Sequence, residues 1–298
     1  MLLVIGDVVT DVIARHHGPL APGTDTAARI RTLPGGAGAN VAAWAARCGS
    51  VPVRMLGKAG SDSAAWHEDA LRHAGVEPRL RTDPALPTGM VIALVDGADG
   101  AERTFLTDSG AAFALGPADW DERLLDGVTH VHLSGYVYFT AEGRALADLA
   151  TAAAHRRGAT ISLDPASTGF IRRLGLSAFV AAVGAADLIL PNASEAALLT
   201  GLADPSAAAG ELSRVHGTAV VTLGPEGALV AAGGKVTARV PAAPARPVDT
   251  TGAGDAFTGA YLAAWLAGSG PGEAAAAGCR AAALAVETVG GRPPDRPV

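Results

Sequence analysis

From Asp249 to Asp255 the chain sets two carboxylates, two threonines and two glycines beside one alanine, and an apolar run follows at once. Gly252 and Gly254 allow the backbone to come close to a ligand with its N–H groups turned outward. The segment Ala256–Ala267 is rich in Ala, Leu and aromatics, with no Pro and no Gly after Gly259, and reads as a helix. A Gly-rich turn that opens a helix presents free N–H groups and the positive end of the helix dipole, a setting suited to phosphate. Asp255 stands where an anion should bind. A carboxylate there repels phosphate unless it has another task, and taking a proton from an attacking hydroxyl is such a task. In isolation the same string is also that of a turn with an N-cap aspartate.

Three other regions carry residues suited to ligands. Near the N-terminus Asp11 follows a first strand, and Gly35-Gly36-Ala37-Gly38-Ala39-Asn40 opens a helix. A carboxylate can accept from two adjacent hydroxyls, Gly35 and Gly36 allow close backbone approach, and Asn40 offers a donor and an acceptor. The combination suits a polyol, although a loop aspartate and a tight turn would use the same residues. In the middle stands Pro191-Asn192-Ala193-Ser194-Glu195. Asn192 and Glu195, three apart, could face one way from a helix start and hold hydrated Mg2+, which prefers oxygen ligands; the same spacing also makes a helix cap. Farther on, Thr222-Leu223-Gly224-Pro225-Glu226-Gly227 ends a strand in a Gly-bearing turn, against which a nucleotide can lie without meeting a side chain. A hairpin turn would look alike.

These four segments, in this order and spacing, resemble the ribokinase-like carbohydrate kinases, the phosphofructokinase-B family, from Gly6 to about Gly291. The resemblance implies ATP-dependent transfer of the γ-phosphoryl group to a hydroxyl of a small sugar or sugar-like molecule. It makes Asp255 the general base and the N–H groups of Gly252, Ala253 and Gly254 the anion hole. Asp11, Gly35, Gly36 and Asn40 would hold the acceptor, and Asn192, Thr222, Gly224 and Gly227 the nucleotide. Glu195 would serve Mg2+ together with Asn192. Asp249 and the carbonyl of Thr251 match a monovalent-cation site, K+ being the candidate, with further carbonyls from Ala285–Gly290. The implied architecture is one α/β domain over residues 1–298: a central, mainly parallel sheet flanked by helices, with small lid strands inserted at about 15–34 and 89–110. A homodimer through those lid strands is a further implication. Two departures point away from ribose itself: Ala37 stands where ribokinases proper often have Lys or a polar residue, and Val9 where they have Asn. Tyr136 or Arg103 is expected to help choose the substrate. A nucleoside kinase of the same family is the main rival, and few aromatics near the acceptor motifs favour the sugar. A catalytically silent sugar-binding relative is a third reading, against which the intact Asp255 argues.

Other enzyme classes fit less well. Neither Lys58 nor Lys235, the only lysines, lies in a Walker A string. Gly36-x-Gly38 and Gly252-x-Gly254 lack the third small residue of a dinucleotide fingerprint. A net charge of −6 speaks against nucleic acid or an anionic membrane surface as the main partner. Adjacent His16 and His17 point apart and read as a solvent-exposed loop, and no Cys/His cluster has zinc spacing. Cys48 and Cys279 read as buried free thiols. The start Met1–Gly6 reads as a buried strand rather than a leader, and no apolar stretch reaches membrane-spanning length, so a cytoplasmic protein is expected.

Strands and helices must position these residues. Leu2–Gly6, Val53–Leu56, Thr129–Leu133, Thr160–Leu163, Asp187–Leu190 and Ala219–Leu223 read as strands. Between and after them Ala39–Cys48, Ser61–Ala74, Ala141–Arg157, Ser194–Leu199, Gly254–Gly268 and Gly272–Val286 read as helices. Apolar strands alternating with helices predict a mainly parallel sheet covered on both faces. Thr24–Leu33 alternates, and Gly89–Val95 with Arg103–Thr107 forms a candidate hairpin around Asp96–Gly100. Without intervening helices these strands predict a separate antiparallel patch. Ala243–Val248 reads as an extended lead into the key turn.

Overall fold

The computed structural model describes residues 1–16, 18–96 and 103–294. In chain order the elements are β1 (Leu2–Ile5), β2 (Val9–His16), β3 (Ala28–Gly35), α1 (Ala37–Cys48), β4 (Val53–Gly60), α2 (Ala64–His73), β5 (Val76–Asp83), β6 (Thr88–Asp96) and β7 (Arg103–Gly110). Then follow β8 (His130–Ser134), α3 (Ala141–Arg156), β9 (Thr160–Asp164), α4 (Thr168–Leu174), α5 (Leu176–Val183), β10 (Leu188–Ile189), α6 (Ala193–Thr200) and α7 (Pro205–Val215). The chain closes with β11 (Thr218–Thr222), β12 (Ala228–Ala232), β13 (Lys235–Val240), α8 (Ala253–Leu266) and α9 (Pro271–Val286).

Among the described residues the strands form two sheets. The large one runs β13-β12-β11-β10-β9-β8-β1-β4-β5, parallel from β11 to β5 and antiparallel over β11-β12-β13. Alternation along β1 decides its sidedness: Leu3 and Ile5 enter the core under α3, α5, α6 and α7, while Leu2 and Val4 enter the core under α1, α2, α8 and α9. Both faces are therefore covered, as a parallel sheet requires. The small sheet runs β3-β2-β6-β7, with β2 and β6 parallel and the outer pairs antiparallel.

The small sheet differs from the sequence reading at one important place. β2, which carries Asp11, is a strand of it, whereas the sequence reading placed Asp11 only after the first strand and began the inserted strands at about residue 15. Its apolar residues occupy both faces in short supply, so alternation alone did not announce it. The turn expected at Asp96–Gly100 lies mostly outside the described residues, as does His17; His16 is buried, with Nδ1 on the carbonyl of Gly18 at 2.7 Å, rather than exposed. Cys48 and Cys279 are both free, but Cys48 is exposed because it ends the last turn of α1.

Close packing of small residues brings the functional helices together. A Cβ on Gly259 of α8 would meet the Val41 carbonyl at 2.6 Å and Trp44 Cβ at 2.7 Å. Only glycine lets α8 lie this near α1. One turn earlier on each helix stand Asn40 and Asp255, which the crossing brings face to face.

Candidate active site

The site gathers at the C-terminal ends of the parallel strands, where α/β proteins bind ligands. Asp7 follows β1, Ser134 and Asp164 end β8 and β9, Asn192 follows β10 and Thr222 ends β11. Gly252 caps α8 in the left-handed region at φ +73°, and a Cβ there would lie 2.5 Å from the Gly291 backbone. Glycine is thus required by both conformation and space. Ala253 begins the helix, so Asp255 belongs to its first turn rather than to a cap. Gly254 is exposed, and a Cβ there would meet nothing within 4 Å, so this stretch of backbone faces open cleft.

Asp255 sits half-buried at the cleft floor, and Asn40 Nδ2 donates to its Oδ2 at 2.8 Å. Burial pushes its carboxyl up to about 8; the Asn40 bond opposes that shift, while Asp164, Asp7 and Asp11 add to it. Asp11 is held with its carboxyl directly over Gly35, where any Cβ would collide with it. Burial raises Asp11 to about 7, the Arg292 guanidinium pulling the other way and Asp7 and Asp249 adding to the rise. Gly36 is the N-cap of α1 at φ +97°.

Two residues here escaped the sequence reading. Asp7 accepts from the N–H groups of Ala37 and Gly38 at 2.8 and 3.1 Å and from Ser134 Oγ at 3.0 Å, tying α1 to the ends of β1 and β8. Arg292 donates to the carbonyls of Ala39, Gly35 and Pro34 at 2.7, 3.3 and 3.4 Å. Burial lowers this guanidinium to about 10, although Asp11, Asp255 and Asp7 hold it charged. Asp7 stands one residue after the glycine that ends the apolar run, a position that could have been weighed beside Asp11. Arg292 sits in a terminal segment without pattern, and no local signal marks it.

Asn192 and Glu195 form a reciprocal cap on α6: Glu195 N–H donates to Asn192 Oδ1 and Asn192 N–H to Glu195 Oε2, each at 2.9 Å. The cap occupies one oxygen of each side chain. Glu195 is buried, its carboxyl raised by burial and by nearby Asp164. Asp164 is raised in turn, first by burial, against bonds from Ala166 N–H and Thr258 Oγ1 at 2.9 and 3.3 Å. Glu195 keeps one oxygen free beside a crowded second carboxyl, which fits a divalent cation that keeps most of its waters. Among the described residues no group of three or more His, Cys, Asp and Glu side chains could enclose a bare ion.

Asp249 takes the Thr251 and Gly290 N–H groups at 2.7 and 3.0 Å, stitching the Gly-rich turn to the loop after α9. The Val286 carbonyl accepts from Val248 and Asp249, and that of Ala285 from Thr288 twice. Both lone pairs of each are engaged, which leaves this loop with fewer oxygens for a monovalent cation than the resemblance implied.

Two cavities meet at Thr222 and Gly254. One, of about 220 Å³, is bounded by Tyr136, Asp164, Asn192, Glu195 and Asp255. The other, of about 610 Å³, is largely apolar and is walled by Gly224, Gly227, Ala253, Phe257, Cys279 and Val286. His132 also faces the smaller cavity, with Nδ1 on Ser162 Oγ at 2.9 Å and Nε2 without a partner. Tyr136 is joined by Phe139 and Phe170 in a ring cluster, so aromatics lie nearer the cleft than their sequence separation suggested. Arg103 opens β7, and its side chain lies outside the described residues.

The pfkB family carbohydrate kinase model matches residues 1–297. An ATP-dependent ribose-1-phosphate kinase of Halopiger xanaduensis is 33% identical over 275 residues, covering 89% of this chain and 84% of that protein. A ribokinase of Haemophilus influenzae is 29% identical, covering 97% and 93%. Among solved structures, adenosine kinase from Sinorhizobium meliloti superposes with a TM-score of 0.88 at 25% identity, covering 98% and 95%. A putative ribokinase II from E. coli in complex with ATP and Mg2+ superposes at 0.87 with 24% identity, covering 97% and 94%.

Proposed function

The chain belongs to the pfkB family of carbohydrate kinases, and from that premise we propose that it transfers the γ-phosphoryl group of ATP to a hydroxyl of a small sugar, with Asp255 as general base. One observation carries the proposal: a carboxylate in the first turn of α8, oriented by Asn40, at the meeting point of a polar and an apolar cavity. The acceptor hydroxyl lies between Asp255 and Asp11 and gives its proton to Asp255 as its oxygen attacks the γ-phosphorus. Transfer is direct and inverts the phosphorus, with no phosphoenzyme. Charge growing on the transferred group meets the N-terminal amides of α8 around Gly252–Gly254, which need no reorganisation. The apolar cavity suits the base of the nucleotide, and Gly224 leaves room for it. Mg2+, when bound, would offset phosphate charge; Asn192 and Glu195 would hold its waters.

A nucleoside acceptor is the second reading. Tyr136 on the smaller cavity offers a stacking surface for a base, and the likeness to an adenosine kinase agrees with it. A monovalent cation beside Asp249 and Thr251 has less support, since the neighbouring carbonyls are already engaged. The small sheet, built from β2 and β3 and from β6 and β7 rather than from about 15–34 and 89–110, serves as a lid on the single domain 1–298. Its outer face exposes Ile30, Met90 and Leu106, which suits the pairing of two copies. Purified protein, ATP and a panel of sugars and nucleosides, read by ADP release, test the proposal. Acceptor-dependent ADP release is expected; none with any member would remove the kinase assignment and leave a binding protein.

A further inference from the structure

The face of the large sheet under α1 and α8 is apolar on β1 and β10, where it carries Leu2, Val4 and Leu188. Between them, β8 and β9 break that rule. Alternation puts His130, His132 and Ser134 of β8 on this face, opposite Thr160, Ser162 and Asp164 of β9. His130, His132 and Ser162 are fully buried, and polar groups so placed cost stability unless they are paired. They are paired in single file. Thr160 Oγ1 lies 2.7 Å from His130 Nδ1, His130 Nε2 lies 2.7 Å from Ser162 Oγ, and Ser162 Oγ lies 2.9 Å from His132 Nδ1. The Trp265 ring of α8 stands edge-on to His130, with centroids 5.1 Å apart, and covers that part of the file. At one end Thr160 is exposed, at the start of β9. At the other, His132 Nε2 has no partner, and His132 lines the polar cavity shared by Asp164 and Asp255. The file therefore joins solvent beneath the sheet to the site above it.

We infer that this file is a proton path, which takes the acceptor's proton from Asp255 while the cleft is occupied and gives one to solvent at Thr160. The inference rests on the kinase reading for the source of that proton. Burial lowers both imidazoles to about 3, so each is neutral, with one N–H and one bare nitrogen. A serine hydroxyl has one hydrogen to give. An unbroken file through Ser162 therefore has two hydrogen patterns: both rings carry hydrogen on Nδ1, or both carry it on Nε2. A proton that enters at one end converts the first pattern into the second. His132 Nε2 accepts it from Asp255 across the cavity, whose volume of about 220 Å³ and polar wall suit a bridging water. The His132 Nδ1 hydrogen passes to Ser162, the Ser162 hydrogen to His130 Nε2, and the His130 Nδ1 hydrogen to Thr160. The hydroxyl hydrogen of Thr160 passes to water. Each member forms one bond to hydrogen and breaks one. When product leaves and water refills the cleft, the reverse passage restores the first pattern, and the proton exits through the cavity.

Two measurements test the path, and the first needs no turnover. Long-range proton–nitrogen correlation on protein labelled with 15N-histidine reads which ring nitrogen carries hydrogen. His130→Gln and His132→Gln identify the two signals. Both rings should be neutral and carry hydrogen on the same-named nitrogen. One ring of each kind, or a charged ring, would overturn the inference. The second is a single turnover with ATP and an accepted sugar or nucleoside, with ADP read by chemical quench and the proton by an indicator dye. The two should appear together in the unsubstituted protein. In Ser162→Ala the proton should trail ADP, and Ser162→Thr, which keeps the hydroxyl, should restore the coincidence. A residue needed only for packing would give no such rescue. Thr160→Val makes the same break at the exposed end if Ser162→Ala does not fold. Identical timing with and without the hydroxyl would overturn the path and leave the kinase intact. Matched rings with no ADP from any acceptor would remove the kinase reading and keep the file.

Discussion

The two sides of the cleft that meet at Asp255 are built on opposite principles. Toward α9 the wall is Phe257, Cys279, Ala282, Val286 and the prolines of 242–247, with backbone at Gly224 and Gly254. Toward the small sheet it is Asp11, Asp7 and Arg292, whose charges act on one another and, for the first two, on Asp255. The first side offers shape and fixed backbone dipoles, the second charged side chains. A triphosphate brings its own charge and needs amides and room. An acceptor that differs from its rivals by one hydroxyl or one phosphate needs groups that hydrogen-bond in particular directions. Substitutions on the first side should therefore act through bulk, and on the second through charge.

The largest effect should come where the sides join. Asp255→Asn should lower kcat by ~10²–10⁴ and leave ATP binding nearly unchanged. Stopped-assay kinetics together with nucleotide titration check this, and a variant above about a tenth of the unsubstituted rate would take the base role from Asp255. Gly254→Val comes next. A Cβ there meets nothing within 4 Å, so the protein should fold normally and lose ~10²-fold in transfer by bulk alone. An active, folded variant would break the claim that backbone serves this side. Asp11→Ala should act by charge, raising KM for the acceptor about tenfold or more with little change in KM for ATP. The reverse pattern would move Asp11 to the other side of the comparison.

Two smaller effects follow from the raised carboxyl. Proton acceptance needs the ionised form, so kcat/KM should rise with pH and level off near the Asp255 value of about 8 in the free enzyme. A profile flat from pH 6 to 9 would exclude Asp255 as the titrating group. The same carboxyl affects stability with a known sign. The folded protein keeps the Asp255 proton up to about 8, whereas the unfolded chain loses it near 3.8. Its contribution to stability is full below the lower value and declines as pH rises toward the upper. Asp255→Asn should therefore melt above the unsubstituted protein at pH 9, and the gap should close toward pH 4. A gap that widens on acidification would contradict the assigned cause.

The α/β architecture was legible because β1 and β11 are apolar runs and β8 and β9 short alternating ones, with helical periodicity between them. The turn at Gly252–Asp255 was legible because glycine spacing and a misplaced carboxylate are local signals. Element ends were less so: Asp255 proved to be inside the first turn of α8, since Gly252 in the left-handed region serves as the cap. β2 was not marked as a strand because its face of Val9, Asp11, Ile13 and Arg15 mixes charged with apolar residues.

The sequence by itself determined six strands of the large sheet, the helices that follow most of them, the Gly-rich turn and the family to which they belong, because each rests on neighbours within a few residues. β5, β12, β13, α4, α5 and α7 went unread. Only the tertiary structure decided that Asn40 holds Asp255, 215 positions away, and that Arg292 lies beside Asp11. It likewise decided that Arg15 and Arg29 face one another across a register. The reason is physical: hydrogen-bond partners and desolvation depend on which chain segments pack together, and here a single helix crossing at Gly259 and the pairing of β2 with β3 set them.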